Sequence, residues 1–336
     1  MPYPGTLGHG QDRRDMLTSL ELCAGAGGQA LGLEQAGFSH VGLVEADAHC
    51  RATLRLNRPA WRVFDGAQAD MTTFDARAFR GVDLLAGGLP CPPFSVAGKQ
   101  LGARDERNLF PDLLRVIDET APRAVMVENV RGFLGPAIAA YRAQIFADIA
   151  RRGYVVGARL YDAAGFGAPQ TRARVVILAL RPADAERFVW PEPGAAPPAH
   201  VGDALADLMA SGGWPGAPAW IAAARGPAPT IVGGSKKHGG PDLGPTRAKR
   251  AWAALGVDGL GVADAPPGPD FEGAPRLTVP MVARLQGFPD EWRFAGRKTA
   301  AYRQVGNAFP PVMARAVGER LRAVLRGGRA STVAAQ

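Results

Sequence analysis

Cys91 is the residue with the clearest capacity for covalent chemistry. It lies in GGLPCPPFSVAGKQLGARDERNLF, directly after an apolar run and between prolines that stiffen the turn. That position puts a thiol at the carboxyl end of a sheet, where open α/β folds bind their ligands. The residues that follow, Gly98, Lys99, Gly102, Arg104, Asp105 and Arg107, alternate glycine with charge, as a loop closing over an anionic substrate would. Glu128, in RAVMVENV, ends another apolar run, so its carboxyl should be partly desolvated and its pKa raised into a range useful for proton donation. Arg172 and Arg174, in QTRARVVILAL, stand two residues apart at the start of a strand and so share a face. Two cations there suit a phosphate or a carbonyl oxygen; the plain alternative is a pair of edge-strand guards.

A second group of residues has the chemistry of a nucleoside site. In LELCAGAGGQALGLEQAG a strand runs into a turn and then a helix. Gly25, Gly27 and Gly28 let the backbone turn tightly and approach a ligand at the helix N-terminus. About 20 residues on, Glu45 ends VGLVEAD, where a carboxylate can take both hydroxyls of a ribose. Asp70, in AQADM, could accept from the exocyclic amine of an adenine. The turn lacks the GxGxxG spacing of dinucleotide folds, which favours a smaller adenosyl cofactor over NAD.

These residues need a scaffold, and the sequence predicts one. The runs LTSLEL, HVGLVEA, GVDLLAGG, RAVMVEN and RVVILAL are too continuously apolar for an exposed sheet. Between them AGGQALGLEQAG, PDLLRVIDETA and AAYRAQIFADIARRG show helical spacing, so a parallel sheet covered by helices is expected. Beyond Arg181, PEPGAAPPAH, SGGWPGAPAW and ADAPPGPD break regular elements and predict a less regular stretch over 182–275. Helical patterning returns at VPMVARLQG and PPVMARAVGERLRAVLR, before a tail, GGRASTVAAQ, expected to fray. At 336 residues, a large domain with a smaller partner or insertion is expected.

Composition narrows the class. A hydrophobic share of 47% and a charged share of 21% exclude general disorder. No apolar run reaches the roughly 18 to 20 residues of a membrane span, and the N-terminal stretch has no signal-peptide core, so a cytoplasmic location is expected. The 3 cysteines, Cys23, Cys50 and Cys91, form no CxxC pair and suggest neither a zinc site nor a disulfide framework. A net charge of +8 points to a polyanionic partner.

With these motifs in order, the chain resembles the DNA cytosine-5 methyltransferase family, from Leu17 to about Leu321, in the manner of bacterial type II modification enzymes. PCPPFSVAGKQ, ENV, QTRAR, RLTVPMVARLQGFPDEW and AYRQVGNAFPP match the family's fourth, sixth, eighth, ninth and tenth motifs. The resemblance implies a Rossmann-like α/β methyltransferase sheet with a smaller, irregular target-recognition domain, dividing the chain into 15–182 plus 298–328 and 183–297. It implies S-adenosyl-L-methionine as cofactor and a monomer acting on double-stranded DNA, with no metal and no membrane. It also implies that Cys91 attacks C6 of a flipped cytosine while Glu128 engages N3 and the amino group and Arg174 holds O2, with Arg172 beside them. The cofactor falls to Cys23, Ala24, Gly25, Gly27, Gly28, Glu45, Asp70, Met71, Pro90, Leu109 and Asn307. DNA contacts fall to Ser95 and Lys99 in the loop after Cys91, and to Ser235, Lys236, Lys237, His238, Arg247, Lys249 and Arg250 in the variable segment. These last offer donors for phosphates and guanine edges.

Three positions depart from the family's habit: Cys23 stands where Phe is usual, Glu21 where Asp is common, and Ala97 where some members insert a polar side chain into the duplex. Two other readings stay open, a transfer-RNA cytosine methyltransferase with the same chemistry and a DNA-binding homologue without catalysis. The length of the recognition segment favours DNA, and intact Cys91, Glu128, Arg172 and Arg174 favour an enzyme.

Overall fold

Six strands and eleven α-helices make up the described part of the chain in the computed structural model, which covers residues 16–90, 108–233 and 240–333. The first part alternates β1 (Leu17–Leu22), α1 (Gly28–Gln35), β2 (Phe38–Val44), α2 (Ala48–Asn57), β3 (Leu84–Gly88), α3 (Phe110–Thr120), β4 (Ala124–Val130), α4 (Ala139–Arg151), β5 (Val155–Asp162) and β6 (Ala173–Leu180). The strands form one sheet in the order β2-β1-β3-β4-β6-β5.

The sheet is parallel from β2 to β4, but β6 runs antiparallel to both β4 and β5. This corrects the expectation of a parallel sheet throughout. Residues 163–172 join β5 to β6 with only a 3-10 turn, too short for the helical crossover that a parallel neighbour requires, so the chain doubles back. β5 itself escapes sequence reading: VVGARLYD is an edge strand with Val155 and Leu160 exposed, and it lacks the continuous apolar run of its neighbours.

Both faces of the sheet are buried, which is why the central strands read as unbroken apolar runs. Leu20, Leu22, Leu85, Val125, Val127 and Ile177 face Leu113, Val116 and Ile117 of α3 and Ile145 and Ile149 of α4. The alternate residues Leu17, Leu84, Ala86, Met126, Val176 and Leu178 face Leu33 of α1.

The second part holds α5 (Pro182–Ala185), α6 (Val201–Ala210), α7 (Ala217–Ala223), α8 (Thr246–Ala253), α9 (Val279–Leu285), α10 (Lys298–Asn307) and α11 (Pro311–Val333). The stretch over 182–275 is thus more helical than its Pro and Gly content suggests, because VGDALADLMA and TRAKRAWA keep an apolar stripe of their own. Its core joins Val201, Leu205, Met209, Trp220, Trp252, Leu277, Met281 and Leu285 with Leu31 of α1 and Tyr302 and Val305 of α10. α11 returns to the sheet and lays Met313, Val317 and Leu321 on the α1 face. It stays helical to Val333, through most of the tail expected to fray. Among the described residues no helix is long and apolar enough to cross a membrane.

Candidate active site

The carboxyl ends of β1, β2, β3 and β4 open on one side of the sheet, and the candidate residues collect there. After β1 the backbone turns through Cys23 (φ 51°), Gly25 (φ 55°) and Gly27 (φ 88°) into α1. Left-handed geometry suits the two glycines; Cys23 takes it at a steric cost. Gly28 has no alternative: a Cβ there would lie 2.2 Å from the carbonyl oxygen of Phe309, so the approach of the 308–310 segment to α1 depends on its missing side chain. A Cβ on Gly25 would meet nothing within 4 Å, so the turn is open on that side to a ligand.

Glu45 holds this turn. Its Oε2 accepts from the Gly25 N–H at 2.7 Å and its Oε1 from the Asp47 N–H at 2.7 Å, so each oxygen keeps capacity for a further donor. Burial pushes its pKa up, against the pull of those two N–H groups. The Asp70 Oδ1 accepts from the N–H and hydroxyl of Thr72, at 2.9 and 2.8 Å, and the residue is exposed. Met71 is buried, and the Cys23 thiol points to its sulfur at 3.4 Å. That thiol is pushed up by burial first, then by the charges of Glu45, Asp70 and Asp112, so the two candidate cofactor acids act on one point. Leu109 is half-buried at the N-cap of α3, Pro90 is exposed after β3, and Asn307 is exposed at the end of α10. An open glycine turn, a carboxylate beneath it, an exposed acid beyond and an apolar wall from Met71 and Leu109 fit an adenosyl group.

Glu128, two residues before the end of β4, lies opposite Gly88, its register partner at the end of β3. A Cβ on Gly88 would lie 3.6 Å from the Glu128 Oε2 and 3.7 Å from the Cys23 carbonyl oxygen, so the acid, the end of β3 and the cofactor turn converge. Glu128 is 7% exposed, and burial raises its pKa even though the Arg174 and Arg172 charges and a hydrogen bond from Arg174 oppose it. The Arg174 Nε sits 2.7 Å from the Glu128 Oε1.

Arg172, just before β6, is committed elsewhere. Fully buried, it donates through Nη1 to the Ile231 carbonyl at 2.6 Å and through Nη2 to those of Gly306 and Ala308 at 2.8 and 3.1 Å. It does hold carbonyl oxygens, but they belong to the protein. Two buried glutamines that sequence reasoning left without a role extend this junction. Gln170 donates to the Gln286 side chain at 2.7 Å and accepts from the Ile231 N–H at 2.8 Å, and Gln286 donates to the Ala308 carbonyl at 2.6 Å. Their only signal was membership of QTRAR and LQGFPDEW.

Among the expected DNA contacts, Arg247 and Arg250 are exposed on α8, whereas the Lys249 Nζ donates to the Asp242 Oδ2 at 2.8 Å and is only half exposed. Cys91, Ser95, Lys99, Ser235, Lys236, Lys237 and His238 lie outside the described residues.

Comparison with known proteins agrees with this geometry. The model of the C-5 cytosine-specific DNA methylase family matches residues 17–212 and 242–323. The chain is 57% identical over 313 residues to the type II methyltransferase M.NaeI of Lentzea aerocolonigenes, covering 92% of this chain and 75% of that one. To the type II methyltransferase M.NgoMIV of Neisseria gonorrhoeae it is 50% identical over 307 residues, covering 90% and 96%. Among solved structures, a Spodoptera frugiperda DNMT2 variant superposes with a TM-score of 0.60 at 17% identity, over 91% of this chain and 99% of that one, which speaks for the fold alone. The chain belongs to the C-5 cytosine-specific DNA methylase family and is a DNA cytosine-5 methyltransferase of the type II kind.

Proposed function

We propose that the enzyme methylates C5 of a cytosine flipped out of duplex DNA, with Cys91 as covalent nucleophile, Glu128 as the proton-bearing partner of the ring and Arg174 at O2. The observation that carries this reading is the Glu128–Arg174 pair at 2.7 Å, set beside Gly88 and the Cys23 carbonyl where the strand before PCPPFS ends. C5 of cytosine is a poor nucleophile until a group adds at C6. Cys91, next in the chain after Pro90, supplies that group as its thiolate. Glu128 keeps its proton to higher pH than a free carboxyl, so it can donate to N3 as the sulfur–C6 bond forms and the C5=C6 electrons shift to make an enamine. Arg174, beside Glu128, is the cation that fixes the ring by its O2 in this reading. Loss of the C5 proton then expels the thiolate. A base stacked in a duplex exposes neither face for this addition, hence the flip.

S-adenosyl-L-methionine, when bound, supplies the electrophilic methyl group that C5 accepts. Residues Cys23 to Gly28 would line it, Glu45 would take the ribose hydroxyls, Asp70 the adenine amine, and Met71, Pro90, Leu109 and Asn307 the remaining walls. The division into a chemical part, 15–182 plus 298–328, and a reading part, 183–297, follows the same reading. So do a monomer in the cytoplasm and target contacts from Ser235, Lys236, Lys237, His238, Arg247, Lys249 and Arg250.

DNA carrying 5-fluorocytosine tests the covalent step, because fluorine at C5 blocks the final elimination. The parent enzyme should give an adduct that survives denaturation, and Cys91→Ala should give none. An adduct retained by Cys91→Ala would overturn the assignment. Transfer RNA offered with labelled cofactor in a parallel reaction should stay unlabelled.

A further inference from the structure

We infer that Arg115, with Glu119, is a positioning residue for adenine selection, although neither belongs to the motifs that carry the chemistry. The inference rests on the reading of Asp70 and Met71 as the adenine site. Arg115 and Glu119 stand four residues apart on α3, so they share a face, and they pair at 2.8 Å. Between them they hold three backbone atoms of the segment over 71–76. The Arg115 Nη2 donates to the Met71 carbonyl at 2.5 Å and its Nη1 to the Phe74 carbonyl at 2.9 Å, while the Glu119 Oε2 accepts from the Ala76 N–H at 2.8 Å.

The segment so held is irregular, with no strand partner to define it. Its local order comes from the Asp70 turn, in which the Asp70 carbonyl accepts from the Thr73 N–H at 3.1 Å and the Asp70 Oδ1 accepts from Thr72. A turn of that kind fixes its own shape but not its place against the rest of the protein. Burial of Met71, Phe74 and Ala76 anchors the side chains of the segment, and the clamp adds a directional hold on its backbone from the helix whose N-cap is Leu109, the other apolar wall of the adenine site. The Arg115–Glu119 pair thus ties the backbone beside Asp70 to the helix that carries Leu109. Hydrogen bonds by the Arg115 guanidinium to two carbonyls are directional, so a lysine, with one ammonium nitrogen in place of the fork, cannot hold both in the same geometry.

A selective readout separates positioning from bulk stability. Calorimetric titration compares S-adenosylhomocysteine with S-inosylhomocysteine, which carries a carbonyl where adenine has its amine. The parent should prefer the adenine compound, and Asp70→Asn should erase that preference. Arg115→Met should lower the preference about tenfold, the net worth of one hydrogen bond, with Glu119→Gln falling between and Arg115→Lys recovering only part of the loss. Equal weakening of both ligands by Arg115→Met, or no change in either, would overturn the inference while leaving the adenine site standing. A preference untouched by Asp70→Asn would instead remove the adenine reading, and the clamp's role with it.

Discussion

Replacing Glu21 by glutamine perturbs one buried proton without changing the shape of the side chain. Glu21 lies on β1, fully buried, and neither carboxyl oxygen has a hydrogen-bond partner among the described residues. The nearest ionisable group is His40, with its Nδ1 4.0 Å from the Glu21 Oε2. That ring offers no proton to Glu21. Its Nε2 lies 2.9 Å from the Ala30 carbonyl, which can only accept, so Nε2 carries the hydrogen and Nδ1 accepts from the Ser19 hydroxyl at 2.8 Å. Burial keeps His40 neutral, pushing its pKa down to about 4 from 6.5, and raises Glu21 from 4.5 to about 8. Between those two values the folded protein holds a proton that the unfolded chain has lost, so Glu21 makes stability fall as pH rises, by about 1.4 kcal/mol per pH unit. His40 acts with the opposite sign, since the unfolded chain binds its proton below 6.5 and the folded one only near 4. Above pH 6.5 the His40 contribution is spent and Glu21 is unmasked, worth about 2 kcal/mol by pH 8. Glu21→Gln cannot ionise, so urea unfolding of the two proteins at half-unit pH steps should diverge by that amount between pH 6.5 and 8. Working with the difference cancels Glu45 and Glu128, whose carboxyls burial also pushes up. Curves that stay parallel across the window would mean that Glu21 is ionised in the fold, and would refute the reasoning.

The two arginines of QTRAR should separate cleanly. Arg172→Met strands two buried carbonyls, of Ile231 and Gly306, at roughly 1 to 3 kcal/mol each, while Ala308 keeps its bond from Gln286, so thermal unfolding should show a loss of at least about 2 kcal/mol. Arg174→Met should cost less stability than Arg172→Met, because Glu128 can take up a proton once its partner is gone, and should lower single-turnover rates and shift the Glu128 pKa further up by removing the main charge that opposes its burial. A stable Arg172→Met protein would argue against its junction role. On α8, Arg247→Ala and Arg250→Ala should each lower the slope of log K against log salt by about 0.9 if each meets a phosphate. Lys249→Ala should change it by less than half as much, because Asp242 already holds that ammonium. Equal slopes in all three variants would dissolve the distinction.

The amino-acid sequence alone determined the order of the chemical groups and the local geometry that presents them. The glycine turn after LTSLEL, Glu45 after the next apolar run and Glu128 at the end of RAVMVEN are each properties of a few adjacent residues. Local propensity and apolar periodicity therefore suffice to predict them, and α1, α3 and α4 fall on the predicted stretches for the same reason. What lay beyond that reach was the choice of partner for each buried polar group. Arg172 and Arg174 are the same residue two positions apart, yet one ties Ile231 to Gly306 and Ala308 while the other pairs with Glu128. Nothing in QTRAR distinguishes them, because those partners lie tens of residues away. The antiparallel turn of β6 against β4, the missed edge strand β5, and the clamp of Arg115 on Met71 are likewise long-range pairings. Tertiary structure decides these cases because a buried donor must find an acceptor somewhere, and only the folded backbone settles which one is within 3 Å.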